Sequence, residues 1–364
     1  MRVGLLFHKD PTGPPVGIDL IRLRALCAGL DGHNTSVEVV APVRRETRLP
    51  AGTRVVPLEA LDEPGRYDVL KACYHFSLPL LGRYDGPLVC RLVRVVDERL
   101  PLRDRDRRPD LLACQAMARE RAIGMVFNNE ENAQRWVTRY GRGQRIVLLP
   151  SGCPAELPQP GPSPFQGDLP VLLFLGSLAA PGMTGMLNDL AERLNGRMAV
   201  HFVGRDKSPN YGGPGQPLSP LVVRRGEVPE PAVWDLIRHA RVGLALCVGP
   251  DLFDNDLSKI VSYLRAGLPV LCEEGVLNAG MAVAAGMGLR FRRGDAGDAA
   301  DKALALLPGP APGRRAAAMD LMVRGHSWDV RAEALERFLA AAAGLPRHAA
   351  LTPPAPGGPG NGTG

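Results

Sequence analysis

Residues Asp254 to Leu271 read DNDLSKIVSYLRAGLPVL. Leu257, Ile260, Val261 and Leu264 recur at i, i+3, i+4 and i+7, which puts them on one face of a helix. The helix runs through Gly267-Leu-Pro into the short apolar run 269–272, PVLC, whose composition suits a strand hidden on both faces. A helix followed by such a strand is half of a βαβ crossover, so the stretch predicts a parallel sheet covered by helices. Asp256 stands where it can cap the helix start. Lys259 lies off the apolar stripe in the first turn, where its charge opposes the helix dipole. A cation tolerates that place more readily where an anion binds, so Lys259 is either a ligand for a negative group or a solvated lysine.

The same alternation extends outward in both directions. The first half predicts strands at 3–7, 36–42, 54–58, 68–74, 87–93, 123–127 and 145–150, and the second half at 171–176, 199–204, 221–226, 242–248, 269–272 and 288–291. Helical segments separate them; in GIDLIRLRALCAGL, Leu20, Leu23, Cys27 and Leu30 form the stripe. The predicted fold class is α/β, with two tandem Rossmann-like domains. The first spans 1–155. A proline- and glycine-rich linker, 156–169, interrupts periodicity and is expected to be open to proteases. The second domain, 170–345, ends on the helix of SWDVRAEALERFL, with Ser327 as N-cap, Asp329 in the first turn, and Leu335, Phe338 and Leu339 on one side. The remainder, 346–364, has no apolar periodicity and is expected to be disordered.

Composition narrows the function. The 364 residues are 45% hydrophobic and contain no run of about 18 apolar residues, and the first ten residues hold no secretory core, which points to a cytoplasmic protein. Seven cysteines occur singly, without a C-x-x-C pair, and read as buried reduced thiols. A net charge of +6 favours anionic partners: sugar nucleotides, anionic lipids or nucleic acid. The densest charged stretch, Val93 to Asp110, interleaves acids with arginines and lacks stacking aromatics, which argues against nucleic acid. It reads as a solvated face, or as a contact with an acceptor or with the inner face of an anionic membrane.

Ligands of doubly wound sheets bind beyond the carboxyl ends of the strands, so the loops there are the ones to search. After the first strand, Gly13 and Gly17 in HKDPTGPPVGIDL form either a tight turn or a glycine loop that lets backbone and helix N-terminus approach a ligand. The spacing is not G-x-G-x-x-G, and the acidic ribose residue of a dinucleotide site is not evident. Tyr74 and His75 fall at the fourth strand end, where a histidine either has a structural role or exchanges a proton with a hydroxyl near neutral pH. Asp97 and Glu98 follow the fifth, as an acceptor-side carboxylate or as solvated charge. Arg205 and Lys207 follow a strand-end glycine in VGRDKSPNYGG, as donor contacts or as ordinary surface residues.

The ordered set PVLLFLGSL, AVHFVG, VVRRGEVPEPAVWDLIRHARVGLAL, SKIVSYLRAGLPVL and SWDVRAEALERFL resembles the nucleotide-binding half of GT-B glycosyltransferases of the group 1 (family 4) type. MRVGLLFHK with GPPVGIDLIRLRALCAGL, and MVFNNEENAQRW with IVLLPSGCP, are similar to the opening and close of their acceptor domain. The resemblance implies transfer of a sugar from a nucleotide diphosphate sugar to a sugar, lipid-linked or small-molecule acceptor in the inter-domain cleft, with retention and without an obligatory metal. It implies donor contacts at Gly176 and Ser177, at backbone around Arg225, Gly226 and Glu227, and at Lys259, Ser262 and Tyr263 of a K-x-x-x-Y-L-x-x-G-x-P-V pattern. The sequence also departs from the family. Ser177 stands where members carry an arginine, no lysine follows in GSLAAPGMTGM, and Asp254 and Ser262 occupy the places of two glutamates, the second of which holds ribose. Arg205 is a substitute for the missing arginine. The departures leave two further readings open: a non-catalytic GT-B subunit that binds a partner or glycan, and a sugar-nucleotide epimerase.

Overall fold

The computed structural model describes residues 1–14, 17–32, 35–98, 108–207, 216–247 and 256–345. The predicted tail, Asp254 and positions 99–107 of the charged stretch lie outside the described residues.

The first sheet holds β1 (Arg2–Leu6), β2 (Ser36–Val40), β3 (Thr47–Arg48), β4 (Arg54–Val56), β5 (Val69–Ala72), β6 (Leu88–Arg91), β7 (Gly124–Phe127) and β8 (Arg145–Leu148). Its order is β3-β4-β2-β1-β5-β6-β7-β8, parallel throughout except where β3 pairs with β4. Each predicted strand of this half appears; the two-residue β3 was too short to leave a pattern. Alternation sorts the core: Leu5, Val39 and Val69 face α1 (Ile18–Asp31), and Leu6, Val40 and Leu70 face the layer that contains Trp136. The helices α2 (Arg108–Arg121) and α3 (Glu130–Tyr140) complete that layer.

The second sheet holds β9 (Val171–Leu175), β10 (Ala199–Val203), β11 (Val222–Arg224), β12 (Val242–Ala245), β13 (Val270–Glu273) and β14 (Gly288–Phe291). It is wholly parallel, in the order β11-β10-β9-β12-β13-β14. Its helices are α4 (Pro181–Leu194), α5 (Glu230–His239), α6 (Ser258–Arg265), α7 (Ala279–Ala284), α8 (Ala296–Ala305) and α9 (Pro312–His326). The stripe on α6 is buried as its spacing predicts. Two tandem Rossmann-like units, the GT-B arrangement, therefore make up the chain. No described helix is long and apolar enough to cross a membrane.

Two expectations about boundaries change. The last helix, α10 (Trp328–Ala342), crosses back to the first unit, so 170–345 is not one continuous domain. Its Ala332, Leu335 and Leu339 join the core of α1, and a β-carbon on Gly29 would meet that of Ala332 at 2.4 Å. Burying each leucine there contributes about 1.5–3 kcal/mol, so the crossing fastens the two units together. Ser327 caps α10 as expected, accepting from the Val330 amide at 3.3 Å. The incoming chain is paired alongside: the Trp328 amide donates to Cys153 O at 2.8 Å, and the Cys153 amide to His326 O at 3.0 Å.

The linker is also tied down rather than open. The Gly161 amide donates to Asp235 at 2.9 Å, Arg225 donates to Pro164 O at 2.9 Å, and the Phe165 ring lies 5.0 Å from the Arg225 guanidinium. Leu157 and Phe165 pack against the core of the second unit. Proline and glycine remove periodicity, but they do not prevent an extended segment from docking.

Candidate functional site

The strands β9, β10 and β11 run out into Gly176, Gly204 and Gly226, whose φ values are 113, 140 and 70°. The crowding is backbone on backbone. Gly204 N–H donates to Gly226 O at 2.7 Å, and a β-carbon on Gly204 would lie 1.9 Å from Gly176 O. Only glycine suits that position, and the strand ends pack backbone on backbone with no side chain between them. Beyond the glycines, Leu178 N–H donates to Arg205 O at 3.1 Å and Lys207 N–H to Leu178 O at 2.8 Å, which zips the two loops together. Ser177 is half-buried within this zipped loop.

Lys259 rises toward the same edge from the first turn of α6. Its ammonium sits 4.1 Å from the Phe174 ring centroid, and a β-carbon on Gly176 would meet Nζ at 3.3 Å. No carboxylate of the described residues pairs with it; it lies on the ring face, which attracts a cation without neutralising it. Burial pulls its pKa down to about 7, an effect that Cys272 offsets in part. Ser262 lies half-buried further along the same helix.

The helix start is not held by Asp256. The N-cap is Leu257, without a side-chain cap, and Asn278 clamps its backbone instead, accepting from Leu257 N–H and donating to Leu257 O at 3.0 Å each. Asp256 accepts from Asn128 Nδ2 at 3.2 Å, so it joins the end of β7 to the start of α6.

Tyr263 is a correction. It is fully buried, and its hydroxyl accepts from Leu175 N–H at 3.1 Å and donates to Leu173 O at 3.0 Å. The ring fills the space above Gly243, where a β-carbon would come within 2.6 Å of it. It is therefore a pillar under β9, not a donor ligand. Arg205 and Glu227, expected as separate donor contacts, are paired, with Nε to carboxylate at 2.9 Å. Both are exposed, and such a pair is worth under about 1 kcal/mol, so the guanidinium can change partners at little cost. Lys207 is half-buried at the end of the zipped loop.

In the first unit, Gly17 has φ 90° at the N-cap of α1, where a side chain would be strained. Gly13 has open space around it and contributes its carbonyl, with that of Pro11, to Arg24. His75 begins a short 3-10 helix just past β5 and is buried against Phe76, with ring centroids 3.9 Å apart. Asp97 follows β6 in a loop pinned by Asn132, which accepts from Val95 N–H at 3.0 Å, and by Gln115, which accepts from Val96 N–H at 2.6 Å. Its carbonyl accepts from Arg108. Glu98 pairs with Arg139 on the surface, which is the solvated reading; the guanidinium holds its carboxyl down to about 2.

Sequence reasoning missed His8 and Phe76. His8 lies at the end of β1, and its ring is 5.5 Å from Tyr74 and 5.8 Å from Phe76. The signal was present: a histidine that ends the apolar run VGLLF, and an aromatic beside the histidine that was singled out.

No family model and no curated protein sequence matches the chain. Solved structures do match in shape. Sucrose-phosphate synthase from Thermosynechococcus elongatus superposes with a TM-score of 0.69 at 14% identity, covering 94% of this chain and 99% of that one. HepE from Anabaena, in a complex with UDP-glucose, gives 0.70 at 13% identity over 94% and 100%. A glycosyltransferase of avilamycin A biosynthesis gives 0.60 at 17% identity over 94% and 98%. At these identities the match establishes the GT-B fold.

Proposed function

We propose that this chain is a glycosyltransferase that moves a sugar from a nucleotide diphosphate sugar to an acceptor hydroxyl held between its two units. One observation carries the reading: the half-buried Lys259 ammonium has no acid partner among the described residues, and it lies against the bare Gly176 loop at the end of β9. A desolvated cation in that place is costly unless an anion completes it. The diphosphate of a donor supplies that charge. Ser177 serves as its neutral contact, with Arg205 and Lys207 at the rim and Ser262 toward the ribose.

In the reaction, the bond from the anomeric carbon to the diphosphate oxygen breaks, and the diphosphate leaves with the electron pair. The acceptor oxygen bonds to the anomeric carbon and gives up its proton. Lys259 offsets charge as it builds on the leaving group, an effect worth about 3–4 kcal/mol for one preorganised donor. On the acceptor side the assignment is His75 and Asp97, at the ends of neighbouring strands, to orient the hydroxyl and receive its proton. The transfer is retaining and needs no obligatory metal. The protein acts in the cytoplasm, peripheral to the inner membrane face where its acceptor is lipid-linked. UDP-glucose, the donor in the HepE complex, is the first to try.

A second reading, a non-catalytic subunit of the same fold, is favoured by one observation: Ser177 replaces a cation and Arg205 is already paired to Glu227. The test is release of UDP from UDP-glucose by the purified chain, in wild type and in Lys259→Met. Turnover that drops in the variant supports the enzyme; donor binding without turnover supports the subunit.

A further inference from the structure

We infer that the carboxyl ends of β1 and β5 form a stacking platform for a pyranose, with the face of Phe76 beneath the sugar and His8 and Tyr74 at its rim. This rests on the reading of the chain as a glycosyltransferase and names the chemistry of its acceptor.

Phe76 is 51% exposed, and it is the only aromatic among the large exposed apolar side chains of the described residues. Its ring stands where doubly wound sheets bind ligands. The ring is held in place rather than loose. His75 packs 3.9 Å from it and His8 5.8 Å, and His8 in turn meets Tyr74 edge-on at 5.5 Å. A rigid aromatic face carries negative quadrupole charge, and it suits the weakly positive C–H groups that line one side of a pyranose.

The rim supplies polar groups, and the buried Arg91 guanidinium lies over the Tyr74 ring, 5.1 Å from its centroid. The Tyr74 hydroxyl has no hydrogen bond to the described residues. Burial and the nearby Lys9 charge lower the pKa of His8, while Asp19 partly opposes them, which favours the neutral imidazole; its Nδ1 is buried, so Nε2 is the atom left for a ligand. Beside His8, Lys9 Nζ pairs with Asp19 at 2.5 Å. An apolar face bordered by hydrogen-bonding groups suits a sugar ring.

The test is saturation-transfer NMR on the full chain, with UDP present, using methyl β-glucopyranoside, methyl β-galactopyranoside, methyl α-mannopyranoside and p-cresol as probes. Transfer should fall on the ring C–H protons of at least one glycoside. Phe76→Ala should bind it roughly three- to tenfold more weakly, as expected for loss of one stacked ring, and Phe76→Trp should retain it. The methyl spectrum of each variant reports folding. No glycoside signal while UDP is bound, equal signals in Phe76→Ala, or a Phe76-dependent signal from p-cresol alone each overturn the platform and leave the donor reading intact. Absence of UDP signal instead counts against the glycosyltransferase reading, and the glycoside result is then judged separately.

Discussion

Lys259 and Gly176 face each other so closely that a β-carbon at position 176 would stand 3.3 Å from the lysine ammonium. The glycine thus keeps open the space into which the cation projects. With φ at 113°, Gly176→Ala adds backbone strain to that contact, and the variant should lose donor affinity. Calorimetry with UDP-glucose checks this; unchanged affinity would mean that the donor phosphates lie elsewhere.

Lys259→Met should lower turnover roughly 10²- to 10³-fold, the usual loss on removing one preorganised charge-stabilising group. Stability should move the other way. The native pKa of about 7 lies below the ordinary 10.5, so the unfolded chain binds more protons between those values and this group's contribution rises with pH there. Its cost is fully present below about 7. Thermal melts should therefore show the methionine variant at least as stable as wild type at pH 6, with the difference shrinking toward pH 10.

The same titration governs binding. Only the protonated lysine attracts a diphosphate, and UDP-glucose itself does not ionise near neutrality. Affinity should be flat below about pH 7 and weaken above it, approaching about tenfold per pH unit. Lys259→Met should flatten the profile. A slope that survives the substitution assigns the titration to another group.

Tyr263→Phe separates a pillar from a ligand. It removes the acceptor for Leu175 N–H and the donor to Leu173 O, which should cost about 1–3 kcal/mol in denaturant unfolding. UDP-glucose affinity measured well below the melting temperature should not change.

Limited proteolysis checks the crossing and the linker. Because Gly161 and Phe165 are held by Asp235 and Arg225, cleavage between 156 and 169 should be slow in the native protein. Gly29→Val should speed it, since overpacking against Ala332 at a site with no room costs about 1–3 kcal/mol and loosens α10 from α1.

The sequence carried most of the strand pattern because each strand is buried on both faces, and apolar runs record that directly. The stripe of Leu257, Ile260, Val261 and Leu264 was legible for the same reason. A stripe says that a face is covered, not by what. That is why α10 was assigned to the wrong unit: Leu335 and Leu339 read the same whether they meet α9 or α1. Polar side chains are harder still. Lys259 stood out by being off its stripe, whereas Tyr263 matched a pattern of the resembling family while its hydroxyl was engaged by the backbone of β9. Asp256 had the composition of a cap, but Asn278, distant in sequence, holds that helix start. His8 and Phe76 come together only through the pairing of β1 with β5, a relation between strands that no local pattern encodes.

In the proposed function, Lys259 and the Gly176 loop hold a nucleotide diphosphate sugar. Thermal melting of wild type and Lys259→Met, each with a panel of UDP-, GDP- and dTDP-sugars, tests it most directly. A donor present at about 100 times its dissociation constant should stabilise wild type by about 2.7 kcal/mol, and the shift should shrink or vanish in the variant. If no donor raises the wild-type melting temperature, or if the variant is shifted equally, the claim is contradicted.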